Sequence, residues 1–163
     1  MLKEAFDDFL AKMVKVVQAF YGDRLVSVVV YGSVGRGTMR DDSDVDVLIV
    51  ARDLPRGRFD RVAEFEAVEK ALVPVCQELL GKGVRTELSP VFKTPEEAEA
   101  GSPLFFDMVE DARLLYDPNG FFAGRLERLR KRFAELGSKR IWNGNVWYWD
   151  LKPDYKPGEV FEL

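Results

Sequence analysis

Asp44 and Asp46 stand two residues apart in the stretch YGSVGRGTMRDDSDVDVLIV, residues 31–50, at the entrance to an apolar run. In a strand, side chains two apart point to the same face, so the two carboxylates project together. Like charges held side by side repel unless a cation lies between them. Hard oxygen ligands of this kind suit Mg²⁺ or Mn²⁺, and Mg²⁺ binds one or two carboxylates alongside substrate phosphates. Upstream, Gly32-Ser33 follows the β-branched run LVSVVVY, residues 25–31. A strand that turns at glycine into a short helix presents backbone N–H groups and a helix dipole to an anion. Gly32 lets a phosphate approach the backbone closely, and Ser33 adds a hydroxyl donor. An anion cradle and a metal platform this close together describe a nucleoside triphosphate site. Each piece alone is commonplace: Gly-Ser is usually a turn, Asp-x-Asp usually a solvated loop, and Ser43 could simply cap one. Their combination at fixed spacing carries the reading.

What the chain lacks narrows the chemistry. It has 163 residues, enough for one domain with a sizeable core, and no histidine. Ser-His-Asp and Cys-His catalysis, His-ligated zinc and histidine general bases are thereby removed. Cys76 is the sole cysteine, so no intramolecular disulfide forms, and its apolar setting in ALVPVCQELL reads as a small buried core residue. The net charge of −4 gives no overall pull toward nucleic acid. No apolar run reaches the roughly 18 residues of a membrane helix. The N-terminal MLKEAFDDFLAKM carries acids and no signal-peptide core, so a cytoplasmic protein with no membrane partner is expected.

The elements that must position the site follow from periodicity. Phe6, Leu10, Met13, Val17 and Phe20 predict an amphipathic helix over about 3–21. Residues 25–31 and 45–50 read as buried strands. A helix is expected from Phe59 to about Leu80, with Val62, Phe65, Val68, Leu72, Val75 and Leu79 toward the core and Pro74 kinking or interrupting it. VRTELSPVF (84–92) reads as a third strand, whose Pro90 marks its end or a sheet edge. Pro95 suits the first position of a short helix over 94–101, a further short helix or turn fits 103–110, and ARLLYD (112–117) fits another strand. Phe122, Leu126, Leu129, Phe133 and Leu136 mark a helix ending at Gly137. The order argues an α/β (α+β) architecture, a small mixed β-sheet with helices packed on it. Two parts are expected: a domain over 1–140 and an aromatic-rich tail over 141–163, packed on the domain or on a partner subunit, a homodimer included.

The run GSVGRGTMRDDSDVDVLIV also fits a longer pattern: Gly-Ser, two residues, Arg-Gly, five residues, Ser-Asp-x-Asp, then an apolar strand. It resembles the signature of the polymerase-β-like nucleotidyltransferase superfamily. It is most similar to the minimal nucleotidyltransferase branch, often paired with HEPN proteins. The resemblance covers Gly32 to about Val50, and the element order over 1–136 agrees with a polymerase β palm-like fold. It implies that Gly32 and Ser33 hold the triphosphate of an NTP, with ATP favoured, and that Asp44 and Asp46 bind Mg²⁺ (or Mn²⁺). Arg36 either contacts phosphate or makes an internal ion pair that holds the turn. Ser43 braces the loop before the aspartates. The family's third carboxylate, a metal ligand that helps deprotonate the attacking hydroxyl, falls best on Glu87. Asp107, Glu110 and Asp111 compete less well, because they sit in what reads as a helix or turn.

The activity implied is transfer of a nucleoside monophosphate, with AMP favoured, to an acceptor hydroxyl. The chain is short for a template- or tRNA-binding domain, so a polynucleotide acceptor is disfavoured. A HEPN-type partner protein is the acceptor the resemblance favours, with this chain as antitoxin. The alternatives are a small-molecule transferase of the aminoglycoside kind and a non-catalytic nucleotide-binding module acting by contact. Two further features have plainer readings. The basic run RLERLRKR (125–132) shares its segment with an apolar stripe and reads as a solvated helix face. Trp142, Trp147 and Trp149 read as packing residues of the tail before base-stacking ones.

Overall fold

Two apolar runs form the centre of the molecule. β1 (Leu25–Tyr31) and β2 (Val45–Ala51) are almost entirely buried and pair antiparallel, in a computed structural model that covers residues Met1–Leu163. Around them the sheet has the order β3-β2-β1-β4. β3 (Leu88–Lys93) runs parallel to β2, and β4 (Arg113–Tyr116) antiparallel to β1. The mixed α/β architecture expected from the element order is the one found. Pro90 lies within β3, the edge strand, where a missing N–H costs no ladder bond on the outer side.

Both faces of the sheet are covered, which is why the central strands are apolar throughout rather than alternating. Val28, Val30, Val45, Val47 and Ile49 pack with α1 (Leu2–Tyr21) and α3 (Arg58–Gly81) in one core. Val29, Leu48 and Val50 belong to a second core with α4 (Pro95–Ala100), α5 (Leu104–Asp111) and α6 (Phe121–Leu136). A short helix, α2 (Gly32–Arg36), follows β1 directly. Phe6, Phe9, Phe65, Phe105 and Phe122 are fully buried, each contributing roughly 2–3 kcal/mol of apolar burial.

The helices depart from their predicted faces in three places. The stripe on α1 ends on Tyr21, which is buried, while Phe20 turns to solvent. Val62 on α3 is exposed rather than in the core, and α3 continues unbroken through Pro74. Pro74 is on the exposed side, so the carbonyl it leaves without an N–H is open to water, and Phe65, Val68, Leu72 and Leu79 hold both halves of the helix to the core. Cys76 is half-buried at the margin of that core, and burial pushes its thiol pKa up. α4 starts with a capping box in which Thr94 and Glu97 bond each other's backbone N–H.

The C-terminal segment contains a β-hairpin that periodicity did not predict. β5 (Lys139–Asn143) pairs with β6 (Val146–Asp150) across Gly144-Asn145. Gly144-Asn145 between aromatic-rich flanks is the local hairpin signal, and Gly144 takes the left-handed φ of +65° that such turns require. The hairpin spans residue 140, where the domain and its tail were expected to divide. The basic run of α6 is largely solvent-exposed apart from Arg125, and its exposed arginines pair with neighbouring groups. Arg125 is buried against the Ala98 carbonyl, Arg128 pairs with Glu99, and Arg130 reaches the Val109 carbonyl.

Candidate active site

The alternation of β2 sets the direction of the two aspartates. Val45, Val47 and Ile49 face the α1–α3 core, so Asp46 continues the row of Leu48 and Val50 on the opposite face. That row becomes polar where the second core runs out. Asp46 is half-buried; Asp44, the residue before β2, is exposed.

Asp46 pairs across the sheet with Tyr31, and its carboxylate lies directly against Gly32 at the start of α2. Gly32 has a φ of +65°, and a Cβ there would collide with the Asp46 carboxylate. Glycine is thus required twice over, by backbone conformation and by space. Helix starts carry N–H groups with no intrahelical partner, and here that start adjoins a carboxylate. At the far end of α2, Ser33 and Val34 carbonyls accept from Thr38 (2.9 Å) and Gly37 (3.2 Å). The loop then closes on itself: the Ser43 hydroxyl accepts from the Arg40 N–H at 2.8 Å, and the Ser43 N–H donates to the Arg40 carbonyl. These two bonds tie Ser43 to Arg40 in the turn that leads to the aspartates.

The electrostatics fit a cation site. Burial pushes the Asp46 carboxyl pKa up, and the neighbouring Asp44 charge pushes it further, with Arg36 pulling the other way. Tyr31 is pushed up to about 12, by burial first and then by the Asp46 charge. A half-buried carboxylate beside a second one is a pair that a divalent cation would relieve. The donor set is all oxygen and belongs to hard cations such as Mg²⁺ or Mn²⁺.

Arg36 donates to Asp111 at 3.3 Å, which is the internal ion pair of the two roles open to it. Its guanidinium also stacks on Trp147, 4.8 Å from the ring centre. Glu87 is exposed on the residue before β3, and its carbonyl accepts from the Val45 N–H at 2.9 Å. Val45 pairs with Leu88 and Asp46 with Ser89, so continuing the parallel register sets Glu87 opposite Asp44. No trio of carboxylate, cysteine or histidine side chains is gathered closely enough to hold a metal ion. Ser89, opposite Asp46, has no counterpart in the sequence reading; only the strand register reveals it.

The competing carboxylates have other partners. Asp107 accepts from the indole N–H groups of Trp147 and Trp149, both at 2.7 Å. Asp111 is buried between Arg36 and Arg140. Sequence reasoning weighed both as metal ligands and missed this use, because their partners lie some thirty or more residues away.

Fold and site together define a nucleotidyltransferase, and comparison with known proteins agrees. The family model described as "Nucleotidyltransferase domain" matches residues 10–115, and the chain belongs to that family. A protein of Methanocaldococcus jannaschii, named "Putative protein adenylyltransferase MJ1305", is 32% identical over 133 residues, covering 80% of this chain and 82% of its own length. Among solved structures, a toxin–antitoxin crystal structure with AMP-PNP aligns with a TM-score of 0.45 and 16% identity, covering 78% of this chain and 92% of that one. A tri-AMPylated Shewanella oneidensis HEPN toxin in complex with MNT antitoxin aligns at 0.43 and 14%, covering 80% and 92%. No helix of the chain is long and apolar enough to cross a membrane.

Proposed function

We propose that the protein transfers AMP from ATP to a hydroxyl on a partner protein. The acceptor hydroxyl forms a bond to the α-phosphorus, the bond to pyrophosphate breaks, and the hydroxyl proton is taken up by a carboxylate. Gly32 and Ser33 hold the triphosphate, and Asp44 and Asp46 hold Mg²⁺. Glu87, set opposite Asp44 by the strand register, takes the part of the proton acceptor. A divalent ion held by Asp44 and Asp46 would neutralise charge on the triphosphate. The protein's own contribution is placement: β2 fixes the carboxylates and α2 fixes the phosphate cradle against them.

One observation carries this reading: the Asp46 carboxylate seated on Gly32, with Asp44 one strand repeat away. It joins an anion cradle to a cation platform at contact distance. AMP as the group transferred and protein as the acceptor class follow the name of the M. jannaschii relative. A HEPN-type protein as that acceptor, and an antitoxin role, follow the signature at 32–50.

The test is incubation with MgATP and the HEPN-type protein of a neighbouring reading frame, followed by intact-mass measurement of that partner. One or more AMP increments, absent with Asp44→Asn, are expected. An unmodified partner that is nonetheless inhibited refutes transfer and leaves a contact-only module. Modification of an aminoglycoside, with the partner unchanged, refutes the protein acceptor.

A further inference from the structure

The family match ends at residue 115, and the β5–β6 hairpin lies beyond it, yet the hairpin reaches back to the helix that forms the phosphate cradle. The link is a chain of charges. Arg140 on β5 makes a two-pronged bond to Asp111, at 2.9 and 3.1 Å, and Asp111 also accepts from Arg36 on α2. The Asp111 side chain is 4% exposed and that of Arg140 is 13% exposed, so the pair is largely out of water. Asp111 touches α2 a second way, because its carbonyl oxygen lies only 2.5 Å from where a Cβ on Gly35 would stand.

The hairpin's inner face completes the grip. Arg140 pairs with Trp149 and Trp142 with Trp147, so these four side chains share one face. The Arg140 guanidinium lies 5.0, 5.2 and 5.9 Å from the ring centres of Trp142, Trp147 and Trp149. Trp147 stacks at the same time on Arg36. Trp149 packs on Phe133, and Asp107 ties both indoles to α5. Arg36 is therefore held from two sides, by Trp147 of the hairpin and by Asp111 of α5, the carboxylate that it shares with Arg140.

We propose that the β5–β6 hairpin is a clamp on α2, with Arg140 and Trp147 as positioning residues that set the phosphate cradle against Asp46. Neither touches the reacting atoms. They act through Arg36 and Asp111, and the hairpin thereby supplies from outside the family core what a five-residue helix cannot supply for itself. The proposal rests on the nucleotide-site reading only for its effect on binding.

Two readouts test it separately. The Gly37 and Thr38 amides, bonded to Val34 and Ser33 carbonyls, report the integrity of α2 by hydrogen exchange. Amides of β1 report the fold as a whole. In Arg140→Ala, and independently in Trp147→Ala, exchange at Gly37 and Thr38 is expected to quicken by at least about tenfold while β1 protection holds. Binding of Mg²⁺–AMP-PNP, by calorimetry, is expected to weaken by about tenfold or more. Arg140→Lys, which keeps the charge and loses the fork, recovers only part of either. Unchanged exchange at Gly37 and Thr38 in both alanine variants overturns the clamp. Equal loss of protection from β1 overturns it too, since the hairpin would then be a general prop of the fold. Native protein that fails to bind Mg²⁺–AMP-PNP refutes the nucleotide reading, and the exchange measurement still decides the clamp.

Discussion

Gly32→Ala tests the contact on which the site depends. The native φ of +65° is left-handed, which costs a residue with a Cβ about 1–2 kcal/mol. The added methyl also meets the Asp46 carboxylate, which is held in the β1–β2 pair opposite Tyr31. Turning that side chain aside costs a further ~0.5–1.5 kcal/mol. Together these give roughly 1.5–3.5 kcal/mol, which for a domain of this size corresponds to a fall in Tm of about 3–14 °C. The displaced carboxylate no longer faces the cradle, so Mg²⁺–AMP-PNP affinity falls by about tenfold or more beyond any loss of folded protein. Differential scanning calorimetry measures the first quantity, and isothermal titration on the folded variant the second. A Gly32→Ala protein with native Tm and native affinity would mean that Asp46 and α2 do not share one site, and the reasoning would fail.

Two further outcomes follow from neighbouring charges. Glu97 is held down at about 2, chiefly by the Arg61 guanidinium fork, with burial opposing and the Thr94 N–H assisting. A depressed folded pKa adds stability that is complete above the unfolded value and is lost as pH falls from about 4.5 toward 2. Glu97→Gln keeps the capping geometry but loses the charge, so it is less stable at pH 7. Since Glu97 is 41% exposed, screening limits the deficit to about 1 kcal/mol. Urea unfolding across that range is expected to show the gap closing toward acid; a constant or widening gap refutes the assignment. At the site, Glu87→Gln is expected to slow transfer by at least about 10²-fold, as for loss of a positioned base. Nucleotide affinity is expected to change less than in Asp46→Asn. Native turnover in a transfer assay with the partner protein removes Glu87 from the mechanism.

How much of this could be read from the sequence depended on the range of the interaction. The Gly32–Val50 signature is local, and so are the features that gave it meaning: a β-branched strand, a glycine turn and a carboxylate pair at strand spacing. Those features yielded the site's outline, and helical periodicity yielded α1, α3 and α6 nearly to the residue. Periodicity erred where one position was decided by packing alone. Phe20 and Tyr21 are both aromatic neighbours near a helix end, and only the packed structure shows that Tyr21 takes the core. Pro74 costs α3 one hydrogen bond, but Phe65, Val68 and Leu72 before it and Leu79 after it are buried and hold the helix together.

The acidic residues of α5 show the limit most clearly. Asp107, Glu110 and Asp111 have the same chemistry as a third metal ligand, and nothing in their own segment distinguishes the roles. What distinguishes them is where the chain returns. The C-terminal hairpin brings Arg140, Trp147 and Trp149 back to α5, and two of the three carboxylates become anchors for it. The signal that could have found this was present as Gly144-Asn145 between KRIWN and VWYWD, a turn that pairs Arg140 with Trp149 and Trp142 with Trp147. A hairpin face carrying one arginine among three tryptophans needs a buried carboxylate to dock against, since a guanidinium taken out of water is costly unless paired. Asp111, the last residue of α5 and two beyond Val109, was the carboxylate available to it. The same pairing that removes Asp111 from the metal site fixes Arg36, and through Arg36 the helix that starts at Gly32.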